Sequence, residues 1–194
     1  MKALRHTALL AAAIAPVSAF AHPGHDGHDF TWDFNAGFAH PLSGWDHLLA
    51  LLAVGIWAAQ LGGRARWLVP AAFLAAMSAG AVLGYSGVEF SGTEQAIAAS
   101  VFVIGLLVTI SARLPVAAAM GLAGLFALFH GLAHGAEIPL TGHAFQYGVG
   151  FVAATTLLLV GGLAFGLFAT RTTARWVNYA GAAIAIGGIV LFAA

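Results

Sequence analysis

Long apolar runs alternate with short polar breaks along almost the whole chain. Six runs approach the roughly 20 residues that a helix rising about 1.5 Å per residue needs to cross hydrocarbon about 30 Å thick. They are Leu42–Leu61, Trp67–Tyr85, Ala96–Ala112, Leu114–Leu132, Phe145–Ala169 and Trp176–Ala194. The breaks between them are short and carry most of the charge. Ahead of the first run, Lys2 and Arg5, an apolar core Leu9–Ala15 and the triplet Ala19-Phe20-Ala21 have the order of an export signal cut after Ala21. The pattern therefore predicts an all-α integral membrane protein, a bundle of six transmembrane helices after an N-terminal signal peptide. Residues 1–21 are the expected signal, and residues 22–194 a single domain opening with a His-rich outer segment over residues 22–35.

Composition strengthens this picture. The chain is 61% hydrophobic and 7% charged, whereas soluble domains average about 25% charged residues. Its 25 glycines suit close helix packing, since lipid leaves little hydrophobic drive between helices. Zero net charge gives no footing for a nucleic-acid partner. Without cysteine there are no disulfides, thiolate ligands or cysteine nucleophiles, so any metal must be held by imidazole, carboxylate, carbonyl or water.

Charge also sets an orientation. Beyond the signal, the basic residues are Arg64, Arg66, Arg113, Arg171 and Arg175, all after the first, third or fifth run. The positive-inside rule makes those loops cytoplasmic and puts both mature termini on the periplasmic side of a bacterial inner membrane. Trp67 and Trp176 then lie at the inner interface, Trp45 and Tyr85 near the outer one. Asp26, Asp29, Asp33, Asp46, Glu89, Glu94 and Glu137 all fall on the opposite, outer side, as do His22, His25, His28, His40, His47, His130, His134 and His143. Carboxylate and imidazole gathered on one face suit divalent transition-metal ions.

Two constellations stand out. In His40-Pro-Leu-Ser-Gly-Trp-Asp46-His47, the histidines would share a face on a continuous helix, although Pro41, Ser43 and Gly44 signal a break or a start. Only Leu48 to Leu61 is apolar before Gly62-Gly63-Arg64, so a full span must take Asp46 and His47 into the bilayer. Ionisable residues there are costly unless paired, hydrated or bound to an ion. In Phe129-His130-Gly-Leu-Ala-His134-Gly-Ala-Glu137, the histidines have the i, i+4 spacing that can chelate one metal, and Glu137 extends the face if the helix continues. An N-cap role for Asp46, and plain helix packing for the second pair, are the alternatives. His22, His25 and His28 are either a site of outer metal capture or a polar tail. Glu89, Glu94 and His143 read as loop residues, and Ser78, Ser100, Thr109, Thr155 and Thr156 as hydroxyls bonded to helix backbone.

The stretch Ala39-His40 to Asp46-His47-Leu-Leu-Ala, with Val54-Gly55-Ile-Trp57-Ala58 after it, resembles the first motif of the HupE/UreJ nickel permeases. The run Phe129-His130 to His134-Gly135-Ala-Glu137 resembles their second. The resemblance covers the whole chain. It implies metal supply to nickel enzymes such as hydrogenase or urease, with His40, Asp46, His47, His130, His134 and Glu137 as nickel-handling residues. The first motif is also similar to the His-x4-Asp-His signature of larger nickel/cobalt transporters, one residue shorter than the spacing here.

The expected function is thus passage of Ni²⁺, or Co²⁺, as transported ion rather than prosthetic group, by a non-enzyme embedded in the lipid bilayer. Imidazole favours such ions over Mg²⁺ and Ca²⁺. No nucleotide-binding loop is present, and oligomeric state is left open. An intramembrane zinc-dependent hydrolase is the main alternative, although the chain has no His-Glu-x-x-His motif. A metal-sensing or assembly role would need a partner surface that the short loops scarcely offer. The halves run in opposite directions, so the motifs would lie at equivalent depths in two inverted repeats.

Overall fold

The computed structural model describes residues 32–138, 143–173 and 175–193. The expected signal peptide and His22, His25 and His28 lie outside the described residues. Those that are described form seven helices and no strand: α1 (Phe34–Ser43), α2 (Trp45–Leu61), α3 (Ala65–Tyr85), α4 (Thr93–Thr109), α5 (Val116–Glu137), α6 (Ala144–Thr172) and α7 (Arg175–Ala193).

The first element corrects the expected boundary at Leu42. Asp33 caps α1, its carboxylate accepting the Ala36 N–H at 3.0 Å, so the helix begins well before the apolar run. It ends at Gly44, whose backbone is extended, and α2 leaves at 78° to it. The break outlined by Pro41, Ser43 and Gly44 therefore prevails over a continuous helix. The other apolar runs match their helices closely, except that α5 continues five residues beyond Leu132 and carries the second motif to Glu137.

Helix α2 is the axis of the bundle. From Ala50 to Gln60 nearly every side chain is buried, Trp57 completely. Three closely packed pairs surround and include it: α2 with α6, α3 with α5, and α4 with α7. Each seam is lined by glycine. A Cβ on Gly80 would land on the Leu128 carbonyl oxygen, and one on Gly131 on that of Met77. Across α2 and α6, Gly55 faces the Leu159 carbonyl and Gly162 that of Leu52 in the same way. Exchanging α2, α3 and α4 with α5, α6 and α7 turns the α2–α6 pair into α5–α3 and maps α4–α7 onto itself. The dominant pairings thus have the symmetry of two related halves, with α1 as an addition to the first.

The outside of the bundle is apolar. Trp67, Val82 and Phe168 are each 68% exposed, an arrangement that suits a surface facing lipid. Helices α3, α5, α6 and α7 are long and apolar enough to cross a bilayer, and the bent pair α1–α2 makes a fifth candidate if counted as one span. Helix α4, an apolar helix of 17 residues, is shorter. The chain is a multi-pass membrane protein.

The seams account for two opposite mutational effects. Gly80→Ala is expected to destabilise the bundle by about 1–3 kcal/mol, because the new methyl meets backbone that cannot yield. Gly121→Ala, where nothing lies within 4 Å, should be neutral or gain up to about 1 kcal/mol from helix propensity. Thermal melts of the two purified variants beside wild type check the difference in sign.

Candidate metal centre

The bend at Gly44 is where the centre begins. A straight helix would hold residues 40 and 47 roughly 10 Å apart along its axis; the bend brings the His40 and His47 ring centroids to 6.1 Å. Gly44 is also where the Asp46 carboxylate folds back, since a Cβ there would sit 2.8 Å from Asp46 Oδ1. From that position Asp46 Oδ2 accepts a hydrogen bond from His47 Nδ1 at 3.0 Å. The carboxylate therefore orients its neighbour's ring rather than serving as a side-chain helix cap, for which no bond is found on α2.

Helix α5 brings the second motif to the same place. The His47 ring lies between the two α5 imidazoles, 4.8 Å from His130 and 4.3 Å from His134, centroid to centroid. His40 meets His134 from another side, at 4.6 Å. The i, i+4 pair therefore grips a third imidazole from α2, which its sequence spacing alone does not convey. Because α5 runs on to Glu137, that carboxylate accepts from His134 Nδ1 at 3.3 Å. All six residues singled out in the motifs are brought together.

The ligand atoms of five of them fall into two overlapping groups that share His134: His40, His134 and Glu137, and Asp46, His47 and His134; His130 belongs to neither group and meets the second through His47. Within each group the atoms lie within 4.8 Å of one another. Donors on one ion are at most about 4.2 Å apart, twice a metal–nitrogen bond of about 2.1 Å, so modest side-chain rotation closes either group. His134 Nε2 is buried and has no hydrogen-bond partner, as a nitrogen awaiting a ligand would be.

The surroundings grade from wet to dry. Glu137 is 38% exposed, Asp46 29% and His134 11%, while His47 is at 1%. His130 is equally deep, against Phe73 of α3 at 6.1 Å and within hydrogen-bond reach of Ser100 on α4, Nε2 to Oγ 3.0 Å. Phe151 of α6 packs against His40, His47 and His134 at 5.8, 5.7 and 5.3 Å. His134 also borders a cavity of about 560 Å³ between α3, α5 and α6, but its walls are chiefly apolar, including Met77, Val82 and Phe151. A hydrated ion would approach by the carboxylates instead.

Other candidates lie apart. His143 caps the start of α6 and meets Gln146 at 2.9 Å, exposed. Glu89 and Glu94 are exposed and belong to neither ligand group. Ser78, Thr109 and Thr156 bond to backbone as expected, whereas Thr155 instead turns its hydroxyl to Met77 Sδ at 4.0 Å. Ser100 does so too, but also touches His130; in sequence it is only one of three hydroxyls in the run Ala96–Ala112. At the opposite, arginine-bearing end, Gln60 donates to Val108 O at 3.0 Å and Ser111 Oγ at 3.1 Å, tying α2 to the end of α4, while its Oε1 is buried without a partner.

Both motifs lie inside a stretch, residues 9–191, that matches the profile of the HupE / UreJ protein family. The chain belongs to the HupE/UreJ family. It is 42% identical over 192 residues to Protein HupE of Rhizobium leguminosarum bv. viciae, with 98% of each chain covered. No solved structure matches it. Family membership bears out the resemblance carried by the two motifs.

Gly44→Ala is expected to push the Asp46 carboxylate off His47 while leaving the helices intact. Loss of such an orienting partner typically weakens a metal site about 10- to 100-fold. Co²⁺ titration followed by visible absorption, beside circular dichroism for helix content, checks this.

Proposed function

We propose that this chain is a permease that takes Ni²⁺, and also Co²⁺, across the bacterial inner membrane to supply enzymes such as hydrogenase or urease. The observation that carries the reading is the run of imidazoles from the exposed carboxylates to the dry interior, His40, His134, His47, His130, at successive ring spacings of 4.6, 4.3 and 4.8 Å. An ion captured by Glu137, His40 and His134 can pass to Asp46 and His47 by exchanging one ligand at a time, with His134 common to both stations. Stepwise exchange avoids the cost of a bare cation, because each water lost is replaced by a nitrogen or carboxylate oxygen. Imidazole discriminates against Mg²⁺ and Ca²⁺, which prefer all-oxygen shells. Phe151 and Phe73 keep bulk water from the deeper rings.

In this reading the domain of residues 22–194 has six spans, with α1–α2 as one bent span and α4 as a short one. The motif end faces the periplasm together with both mature termini, after removal of residues 1–21. His22, His25 and His28 would gather ions ahead of Glu137. The arginine end, with Gln60, faces the cytoplasm. The protein moves its cargo without altering it, so the expected role is that of a carrier rather than a catalyst.

Uptake of radiolabelled Ni²⁺ by cells lacking their own nickel importers tests the proposal. Wild type should accumulate the ion, and Asp46→Asn and His130→Ala should each lower uptake at least about tenfold at equal membrane expression. Well-expressed wild type that moves neither Ni²⁺ nor Co²⁺ would sink it. Stoichiometric zinc together with hydrolysis of a lipid or peptide would then favour the intramembrane hydrolase.

A further inference from the structure

The deepest pair of rings, His47 and His130, meets nitrogen to nitrogen: His47 Nε2 is 3.5 Å from His130 Nδ1. What each nitrogen offers there depends on where each neutral ring keeps its single proton, because one ring nitrogen then carries N–H and the other a lone pair. The opposite side of each ring decides this. His47 Nδ1 faces a carboxylate, which only accepts, so the proton is on Nδ1 and the lone pair on Nε2.

His130 is set by a residue outside both motifs. Its Nε2 faces Ser100 Oγ at 3.0 Å. A hydroxyl can donate or accept, but the Ser100 proton is already committed to the Ile97 carbonyl at 2.6 Å, an oxygen that can only accept. Only oxygen lone pairs are left for His130, so its Nε2 must supply the hydrogen. Ser100 is fully buried, away from bulk solvent.

We propose that Ser100 is a positioning residue, holding His130 as the Nε2–H tautomer so that Nδ1 points its lone pair at that of His47 Nε2. Two lone pairs 3.5 Å apart with no hydrogen between them repel each other and are reconciled by a cation. Bonds of about 2.0–2.1 Å from one ion reach both at an open angle. The serine thereby makes the innermost station a two-nitrogen site. With the other tautomer, His130 would aim an N–H at the ion and close the station. The metal part of this inference rests on the permease reading above; the tautomer does not.

The test reads both separately. Protein labelled with ¹⁵N-histidine, in lipid nanodiscs and free of metal, is examined by NMR, with the His130 ring signals assigned by their loss in His130→Asn. Wild type should show protonated Nε2 and unprotonated Nδ1 at His130. Ser100→Ala should mix or invert the tautomer and lower Co²⁺ affinity about tenfold or more, whereas Ser100→Thr, which keeps the hydroxyl, should restore both. A wild-type His130 protonated on Nδ1 would overturn the proposal whether or not the variants fold. So would an Ser100→Ala protein that keeps both tautomer and affinity. If the tautomer behaves as stated but wild type binds neither Ni²⁺ nor Co²⁺, the role of Ser100 stands and the permease reading falls.

Discussion

Ionisable groups held where water is scarce must satisfy one another, and this constraint shapes the centre of the molecule. Asp46 and His47 sit near the head of the most buried helix, a placement that would be prohibitive for either alone. Their mutual bond answers part of the demand. The rest is met by bringing α5 close enough that His130 and His134 flank the same ring. Helix α4 adds a hydroxyl, and α3 and α6 add aromatic walls. Six of the seven described helices contribute to the site or its lining; α7 acts through its grip on α4.

That convergence needs backbones to approach closely, which is why the glycines matter to function as much as to packing. Gly131 follows His130 directly and Gly135 follows His134, each seated on a carbonyl of α3. The residues that let α5 lie flat against α3 therefore also fix the height and rotation of the imidazoles beside them. Gly44 has the same double role, at once ending α1 and making room for the Asp46 carboxylate.

Much of this is legible in the chain before folding is considered. Apolar run length marks the helices, because hydrocarbon thickness imposes it, and an ionisable pair inside such a run is conspicuous. The grouping of His130 with Asp46-His47 follows from both lying near the same end of oppositely directed helices. Three things are not legible. Helix α1 is hidden because its ten residues are too few and too polar for a span, and only the Asp33 cap announces it. The way His47 fits between the two α5 histidines depends on a bend angle that no local pattern encodes. Ser100 is disguised because a buried hydroxyl bonded to its own helix is commonplace; its second bond, to a residue 30 positions away, exists only in the folded state.

The Asp46–His47 bond joins adjacent residues, while His47 and His130 are 83 positions apart. At a synthesis rate of about 5–20 residues per second, several seconds separate the emergence of the two motifs from the ribosome. During that interval α2 has none of its α5 partners, and the carboxylate–imidazole pair is what it has to lessen the penalty of entering lipid. The pair thus meets a demand of membrane entry that arises before the centre is complete. A chain halted between the motifs would carry half a centre, unable to enclose an ion with the second set of imidazoles until the later helices arrive.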